Sequence, residues 1–468
     1  MNARGMTKNA IKGAEKMLDV IEENGLAVSR LNGDFHEYIR AHGLVSEVPL
    51  KQLASTRFLR DYEYPVNSWP FFVSPGFVEQ MRDMNASMLR LMHKAIRSVF
   101  GRDAMRMSAA MNMDPVLCAF MLEDIDFANV CFRTDAILTD DGLKLVEINV
   151  GTSIGGWQIQ WADEVFRRFD GFRRFFDLHD VTCRNTPVAC FRFLIESAAK
   201  IAPTDSEPVN ILMKVKSDFD VTIYGDVLEG YLGQAIAEAG RSCRINYYHS
   251  LDELDVRPEG TFHNGIRAHL VCFGDLSRKD ELPRDLLRCV LAGKLACPDF
   301  PTYGLLSDKR NMALLHYAVK NRLFTDAEAR LVERYVPRTF ILGGPLYSPD
   351  VRDQLLTEKD RFVVKQCNGM QGIDIHVGRF ISEQQWSGVI ANLDRPELWI
   401  AQEYCTSKKF YGHAGESRGV FNFVWGVFQF GNHFGGSWIR MMQEGDTYDG
   451  VINSARGAQE RIVFEAAY

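Results

Sequence analysis

Four side chains between Cys131 and Trp157 have the types and spacing to hold a divalent cation together with phosphate: Arg133, Asp135, Glu147 and Asn149. They lie in two β-prone runs, Val130 to Thr139 and Leu143 to Val150. Between the runs is Asp140-Asp141-Gly142, which suits a three-residue hairpin loop with Gly142 in the left-handed position. With Thr139 opposite Leu143, Asp135 falls opposite Glu147 and Arg133 opposite Asn149. The two-residue period of a strand then puts all four on one face, leaving Phe132, Val146 and Ile148 on the other. Two carboxylates, an amide oxygen and a guanidinium on a buried hairpin face are costly to desolvate without a ligand. On an exposed hairpin they would make an ordinary surface ion-pair network, so the decision falls to the rest of the chain.

At 468 residues the chain is too long for one core, and about 150 residues per domain gives about three packed units. A net charge of -7 and a pI near 5.9 leave no electrostatic footprint for nucleic acid, so a bound polyanion needs a local cluster of cations. Apolar runs are broken by charge well short of the roughly 18 residues of a membrane span, and the first residues are charged and amphipathic, unlike a signal peptide. The expectation is a cytoplasmic protein without membrane partners. Cysteines at 118, 131, 183, 190, 243, 272, 289, 297, 367 and 405 form no Cys-x-x-Cys pair, which reads as buried thiols in a reducing compartment. Neither His-Glu-x-x-His nor Gly-x-Ser-x-Gly occurs, which removes any footing for zinc-protease and α/β-hydrolase readings.

The elements that must position these residues follow in order. Residues 1–125 read as mainly helical, over Ala10 to Asn24, Arg30 to His42 and Pro75 to Phe100, the last with Ser74 as N-cap and Gly101 as terminator. The aromatic run Tyr62 to Phe72 reads as packing. This region either forms a homodimer surface or roofs an acceptor site. The hairpin belongs to a segment 126–185, where Gly151 to Gly156 either lets a substrate approach the backbone or simply connects strand to helix. Residues 186–304 read as a small three-layer α/β unit with a largely parallel sheet: strands from Val209, Cys243 and His269, and a helix from Asp226 to Ala239. Its glycines make no Gly-x-Gly-x-x-Gly. Segment 305–410 holds Ser307-Asp308-Lys309, then the strand Arg361 to Lys365 running into a turn with Gly369 and Gly372, then Trp399 to Cys405 with Gln402, Glu403 and Tyr404. A lysine ending a strand beside a glycine turn can set an ammonium and backbone N–H groups on a polyphosphate. Segment 411–468 adds two strands joined at Gly431-Asn432, with Arg440 on the second, and then Asn453 and Arg456.

The order Ser307-Asp308-Lys309, Val336-Pro337-Arg338-Thr339, Arg361 to Lys365 with its glycine turn, and Ile400 to Tyr404 resembles the nucleotide-binding half of the ATP-grasp superfamily. Glu147-Ile148-Asn149 precedes these motifs instead of following them, which resembles the circularly permuted branch and is similar to the synthetase domain of glutathionylspermidine synthases. In that family an Arg-x-Asp strand and a Glu-x-Asn strand carry phosphate and magnesium ligands, matching Arg133, Asp135, Glu147 and Asn149. The chain departs from the family at Val150 to Gly156, where the family has an Ala-Asp-Thr-Pro type segment, and it shows no Cys-His amidase module.

The resemblance implies an α/β (α+β), circularly permuted ATP-grasp fold with a helical N-terminal region and a small pre-ATP-grasp domain. The implied activity is ATP-dependent joining of a small-molecule carboxylate to an amine through an acyl phosphate. It assigns Asp135, Glu147 and Asn149 to Mg²⁺. Lys309, Lys365, Gly369, Gly372, Gln402, Glu403 and Tyr404 go to ATP. On side-chain chemistry Arg133 and Arg440, with planar forks, are candidates for the transferred phosphate and the acyl oxygen, with Asn453 and Arg456 completing the site near the acceptor. Two alternatives keep the nucleotide site: a kinase stopping at phosphoryl transfer, or a catalytically idle nucleotide-binding partner in a biosynthetic complex.

Overall fold

The computed structural model describes residues 8–44, 48–202, 204, 207–218, 220–274, 283–347, 349–369, 372–415, 417–445 and 448–467. The hairpin is present as Cys131–Thr139 and Gly142–Val150. Its turn is one residue tighter than the sequence reading, because Thr139 pairs with Gly142 (φ +93°) and Leu138 with Leu143. Val146 is then an extra residue on the second strand. Ala136 faces Leu145, yet Asp135 still faces Glu147 and Arg133 still faces Asn149. A bulge of this kind exchanges the two faces of a strand beyond it. The core face therefore carries Leu143, Leu145, Ile148 and Phe132, and Val146, expected on that face, lines the opposite cleft.

The hairpin is one edge of an eight-stranded sheet. From the other edge the path runs Phe71–Val73, Gln459–Ala466, His433–Gln443, Ser417–Phe430 and then the hairpin, with Lys409–Ala414 and Val181–Thr182 pairing off it. Gly431, at φ +56°, makes the tight turn between Ser417–Phe430 and His433–Gln443. The helix Pro75–Phe100 is capped by the Ser74 hydroxyl, which accepts from the Phe77 amide, and it ends at Gly101 (φ +65°). Its Met81, Met84, Met88 and Met92 bury against Phe423, Trp425, Ile439 and Met441 on the sheet face away from the hairpin's polar residues. The N-terminal region is thus more than helices. Phe71–Val73 pairs in parallel with Gln459–Ala466, and buried Arg461 donates to the carbonyls of Trp69 and Pro70 at 2.9 and 2.8 Å and to that of Tyr411.

Three smaller sheets accompany the large one among the described residues, one of them an antiparallel sheet of Asp255–Arg257, Gly260–His263 and Ile266–Ala268. Leu270–Cys272, Val209–Lys214 and Cys243–Tyr248 form an all-parallel sheet. Val209, Ile211, Leu270 and Cys272 face the helix Thr186–Ala199, while Leu212, Val271 and Tyr248 face Leu286 and Cys289 of the helix Arg284–Leu291, giving three layers. Thr339–Ile341, Trp399–Glu403, Phe362–Gln366 and Ile375–Val377 form an antiparallel sheet. It packs on Val351, Leu355, Trp386 and Ile390 of the helices Asp350–Thr357 and Glu383–Ala391. All ten cysteines are free thiols, and among the described residues no helix is long and apolar enough to cross a membrane.

Gly426 separates Asp135 from Trp438 across the large sheet. A Cβ there would lie 1.9 Å from Trp438 Nε1 and 3.1 Å from Arg133 Cδ, whereas a Cβ on Gly388 would meet open space. Gly426→Ala is expected to destabilise the fold by about 1–3 kcal/mol, read as a lowered thermal midpoint. Gly388→Ala, inside a helix, should leave the midpoint unchanged or raise it.

Candidate functional site

A cleft of about 580 Å³ opens between the large sheet and the four-stranded sheet. From the large sheet come Arg133, Asp135, Glu147, Asn149 and Arg440. From the smaller sheet and its loops come Lys365, Gly369, Gly372, Gln402, Glu403 and Tyr404, and Lys309 and Asn453 lie between. The structure thus gathers every residue assigned above to metal, nucleotide or reacting groups, except Arg456, around one cavity. Arg456 is exposed and pairs with Asp449.

Asp135 is almost fully buried, at 1% exposure. Arg133 donates to both its oxygens at 2.7 and 2.9 Å, and Arg440 donates to Oδ2 at 2.6 Å. Asn149 Nδ2 adds a bond of 3.2 Å to Oδ2. Desolvation alone would lower the Arg133 pKa, but the touching Asp135 carboxylate turns the shift upward. With four donors on two oxygens, Asp135 is less an open metal ligand than the counter-ion that aims two guanidiniums. Arg133 is fixed further by donating to the Gly155 carbonyl at 2.7 Å.

Glu147 is less enclosed, with its side chain 24% exposed, and its Oε2 lies 3.2 Å from Lys309 Nζ. Burial would raise its pKa, yet Lys309, Asp135, Lys365 and Arg440 together hold it far below the ordinary carboxylate range. Lys309 also donates to the Gly369 carbonyl at 2.9 Å, and its own amide donates to the Cys367 carbonyl at 3.1 Å. Its neighbour Asp308 plays a different part, buried in a bidentate pair with Arg310 that anchors the helix Arg310–Lys320. Lys365 Nζ donates to Gln402 Oε1 at 2.8 Å, and Gln402 in turn donates to Thr339 Oγ1 at 3.2 Å. Gln402 is therefore buried as the orienter of Lys365. Burial lowers the Lys365 pKa to about 8, Lys309 adding to the fall and Glu147 resisting it.

Gly369 and Gly372 are described, and Met370 and Gln371 between them lie outside the described residues. Gly372, at φ +73°, abuts Val451, Asn453 and Arg456, so the glycine loop meets the segment preceding the last strand. Asn453 Oδ1 accepts from the Ala455 amide at 2.9 Å. Glu403 stands at the rim 3.3 Å from Arg361, and Tyr404 lies under the Arg379 guanidinium, 4.8 Å from the ring centroid. Of the two readings of the Gly151 to Gly156 run, Gly156 serves packing, since a Cβ on it would lie 2.2 Å from the Trp438 indole, whereas a Cβ on Gly155, which lines the cleft, would meet open space.

Among the described residues no group of three or more His, Cys, Asp or Glu side chains makes a metal cage. Glu147 and Asn149 nevertheless offer a carboxylate and an amide at the cleft wall. That donor set suits Mg²⁺, which takes one or two protein oxygens and completes its shell with phosphate and water.

Sequence reasoning missed Tyr62, Tyr64, Ser454 and Glu460. Tyr64, Ser454 and Glu460 line the cleft. Glu460 accepts from Tyr62 Oη at 2.7 Å and from Ser454 Oγ at 2.8 Å. The available signal was an acid inside the apolar alternation of Gln459–Ala466, on the same face as Ile462 and Phe464.

Fold and cleft together define a mixed α/β protein with a substrate-sized cavity between two sheets. The fold is similar to that of a glutathione synthetase-like effector from Globodera pallida in its apo form, at TM-score 0.55 and 13% identity over 96% of each chain. A candidate gamma-glutamylcysteine synthetase from Methylobacillus flagellatus aligns more loosely, at TM-score 0.38 and 12% identity over 78% of this chain and 87% of that one. No family profile and no curated protein matches the sequence.

A carboxylate whose folded pKa is depressed stabilises the fold above its unfolded value, and loses that contribution as pH falls toward the folded one. Glu147→Gln is therefore expected to lower the thermal midpoint at neutral pH. The gap from wild type should narrow as pH falls below the ordinary glutamate value of 4.5. Differential scanning calorimetry of both proteins across that range checks it.

Proposed function

We propose that the protein is an ATP-dependent carboxylate–amine ligase with a circularly permuted ATP-grasp core, forming an amide through an acyl phosphate and releasing ADP and phosphate. The observation that carries this reading is the 3.2 Å contact between Glu147, on the hairpin from the first third of the chain, and Lys309, with Lys365 beside them. Acid and cations drawn from distant segments face one another across a cavity sized for a nucleotide and a small acid. The fold similarity to a glutathione synthetase-like protein agrees with it.

In this reading Lys309 and Lys365 bind the α- and β-phosphates, the Gly369–Gly372 loop covers them, and Glu403 and Tyr404 face the adenine. Gln402 holds Lys365 in place. Glu147 and Asn149 would hold Mg²⁺, which when bound neutralises phosphate oxygens. Arg133 and Arg440, aimed by Asp135, hold the transferred phosphoryl group and the acyl oxygen through planar donors. Positioning and charge compensation are what phosphoryl transfer asks of a protein. Closing the glycine loop keeps water from the acyl phosphate.

With a panel of amino acids and amines plus ATP and Mg²⁺, ADP release is expected to require both an acid and an amine. Release with the acid alone would mark a kinase, and no release with any pair would remove the ligase reading. Glu147→Gln should slow turnover by about 100-fold or more, and wild-type rates in that variant would count against the assignment. Lys365→Ala should weaken ATP binding by about 10- to 100-fold in calorimetry. Wild-type affinity should fall as pH rises through about 8, where Lys365 loses its proton.

A further inference from the structure

The four carboxylates on the cleft wall are not alike. Asp135 touches Arg133 and Arg440, Glu147 touches Lys309, and Glu403 touches Arg361. Glu460 is 1% exposed, and among the described residues no lysine, arginine or histidine nitrogen lies within the 4.0 Å of an ion pair. Its two oxygens accept from the hydroxyls of Tyr62 and Ser454, which leaves each with a free lone pair. It stands directly across the sheet from Arg440, next to the guanidinium that the ligase reading puts on the acyl oxygen. Tyr64, whose ring centroid lies 5.9 Å from that of Tyr62, and Trp438, 5.5 Å from the Arg440 guanidinium, also line the cleft.

Resting on that reading, we propose that Glu460 is the base that takes the proton of the attacking amine, so that the acceptor enters from the Tyr64 side. The amine nitrogen attacks the acyl carbon of the acyl phosphate and the C–N bond forms. The bond from that carbon to the phosphate oxygen breaks, and phosphate leaves with the electron pair. Before the attack the ammonium form of the amine gives its proton to Glu460, and the second proton that the nitrogen loses on forming the amide leaves with the phosphate. Two aromatic walls beside a carboxylate suit an alkyl amine, whose protonated form they also attract.

The ionisation of Glu460 suits the role. Burial pushes its pKa up, and the Tyr62 and Ser454 hydroxyls, with Arg440 and Arg133 further off, pull it partly back. Tyr62 cannot compete for the proton, since burial and Glu460 itself hold its phenol above the ordinary range. Tyr64 is likewise raised, by burial and by Glu63. A base titrating nearer to neutrality than an ordinary glutamate is more effective.

The test compares two acceptors in Glu460→Gln, using the acid and amine that support ADP release in wild type. Amide formation from that amine should fall by about 100-fold or more. Hydroxamate formation from hydroxylamine, which is unprotonated at neutral pH, should stay close to the wild-type rate. Tyr62→Phe removes a donor that holds the Glu460 pKa down, so the acid limb of its amide pH–rate profile should move to higher pH. On the protein alone, infrared titration should reveal a carboxyl ionising above the ordinary glutamate range that is missing from Glu460→Gln. Equal losses with both acceptors, no loss with either, an unmoved acid limb, or no such carboxyl in the infrared would each overturn the proposal. These outcomes are distinct from failure of the ligase reading, in which wild type releases no ADP with any pair. If Glu460→Gln does not fold, the acid limb of the Tyr62→Phe profile still decides.

Discussion

The clasp of Asp135 by Arg133 and Arg440 is the interaction on which the site depends. A carboxylate taken almost wholly out of water is tolerable only if its partners are close and its lone pairs filled. Here three guanidinium bonds of 2.6 to 2.9 Å and an amide do that. The arginines come from different strands, and Gly426 stands between Asp135 and the His433–Gln443 strand with no side chain to obstruct them. Two planar cations are thereby held over the cavity floor at fixed angles before any ligand arrives. Preorganisation of this kind is the main lever a protein has over a phosphoryl or acyl transfer.

Around that clasp the cleft grades from tightly paired to loosely paired charge. Glu147 is shared by the lysine side of the cavity and stays ionised deep into acid. Lys365 has lost much of its basicity to burial and leans on a neutral amide, Gln402. At the far end Glu460 has only hydroxyl partners. One cavity thus carries lysines at one side, a pair of guanidiniums at its centre and a carboxylate with hydroxyl partners beyond them, the gradation on which the proposed ligase reading rests.

Much of this was legible in the sequence because period-two alternation and turn residues are local. The Asp135–Glu147 and Arg133–Asn149 pairs could be read even though the turn was misjudged by one residue, since the Val146 bulge returns the strands to the expected register. The lysines could be read because each ends or follows a recognisable element. What could not be read depends on contacts between distant segments. Tyr62 and Tyr64 look like core aromatics until the parallel bridge of Val66 to Glu460 brings them to the cleft edge. The donation from Arg440 to Asp135 and the seat of Trp438 against Gly156 are contacts of the same kind. Arg456 shares a sequence neighbourhood with Asn453, but its side chain leaves the cavity for Asp449.

Phe71–Val73 beside Gln459–Ala466, with Arg461 bonding Trp69 across 392 residues, sets a timetable as well as a shape. On a ribosome adding about 5–20 residues per second, the Pro75–Phe100 helix emerges on the order of tens of seconds before the strands that will cover its methionine stripe. Until then the hairpin and the helix Arg310–Lys320, members of the same core, are there to cover only part of that apolar surface. Contacts so distant in sequence also close slowly once the chain is free. Yield on expression, and demand for holdase chaperones, should therefore be governed by this one helix more than by any residue of the cleft.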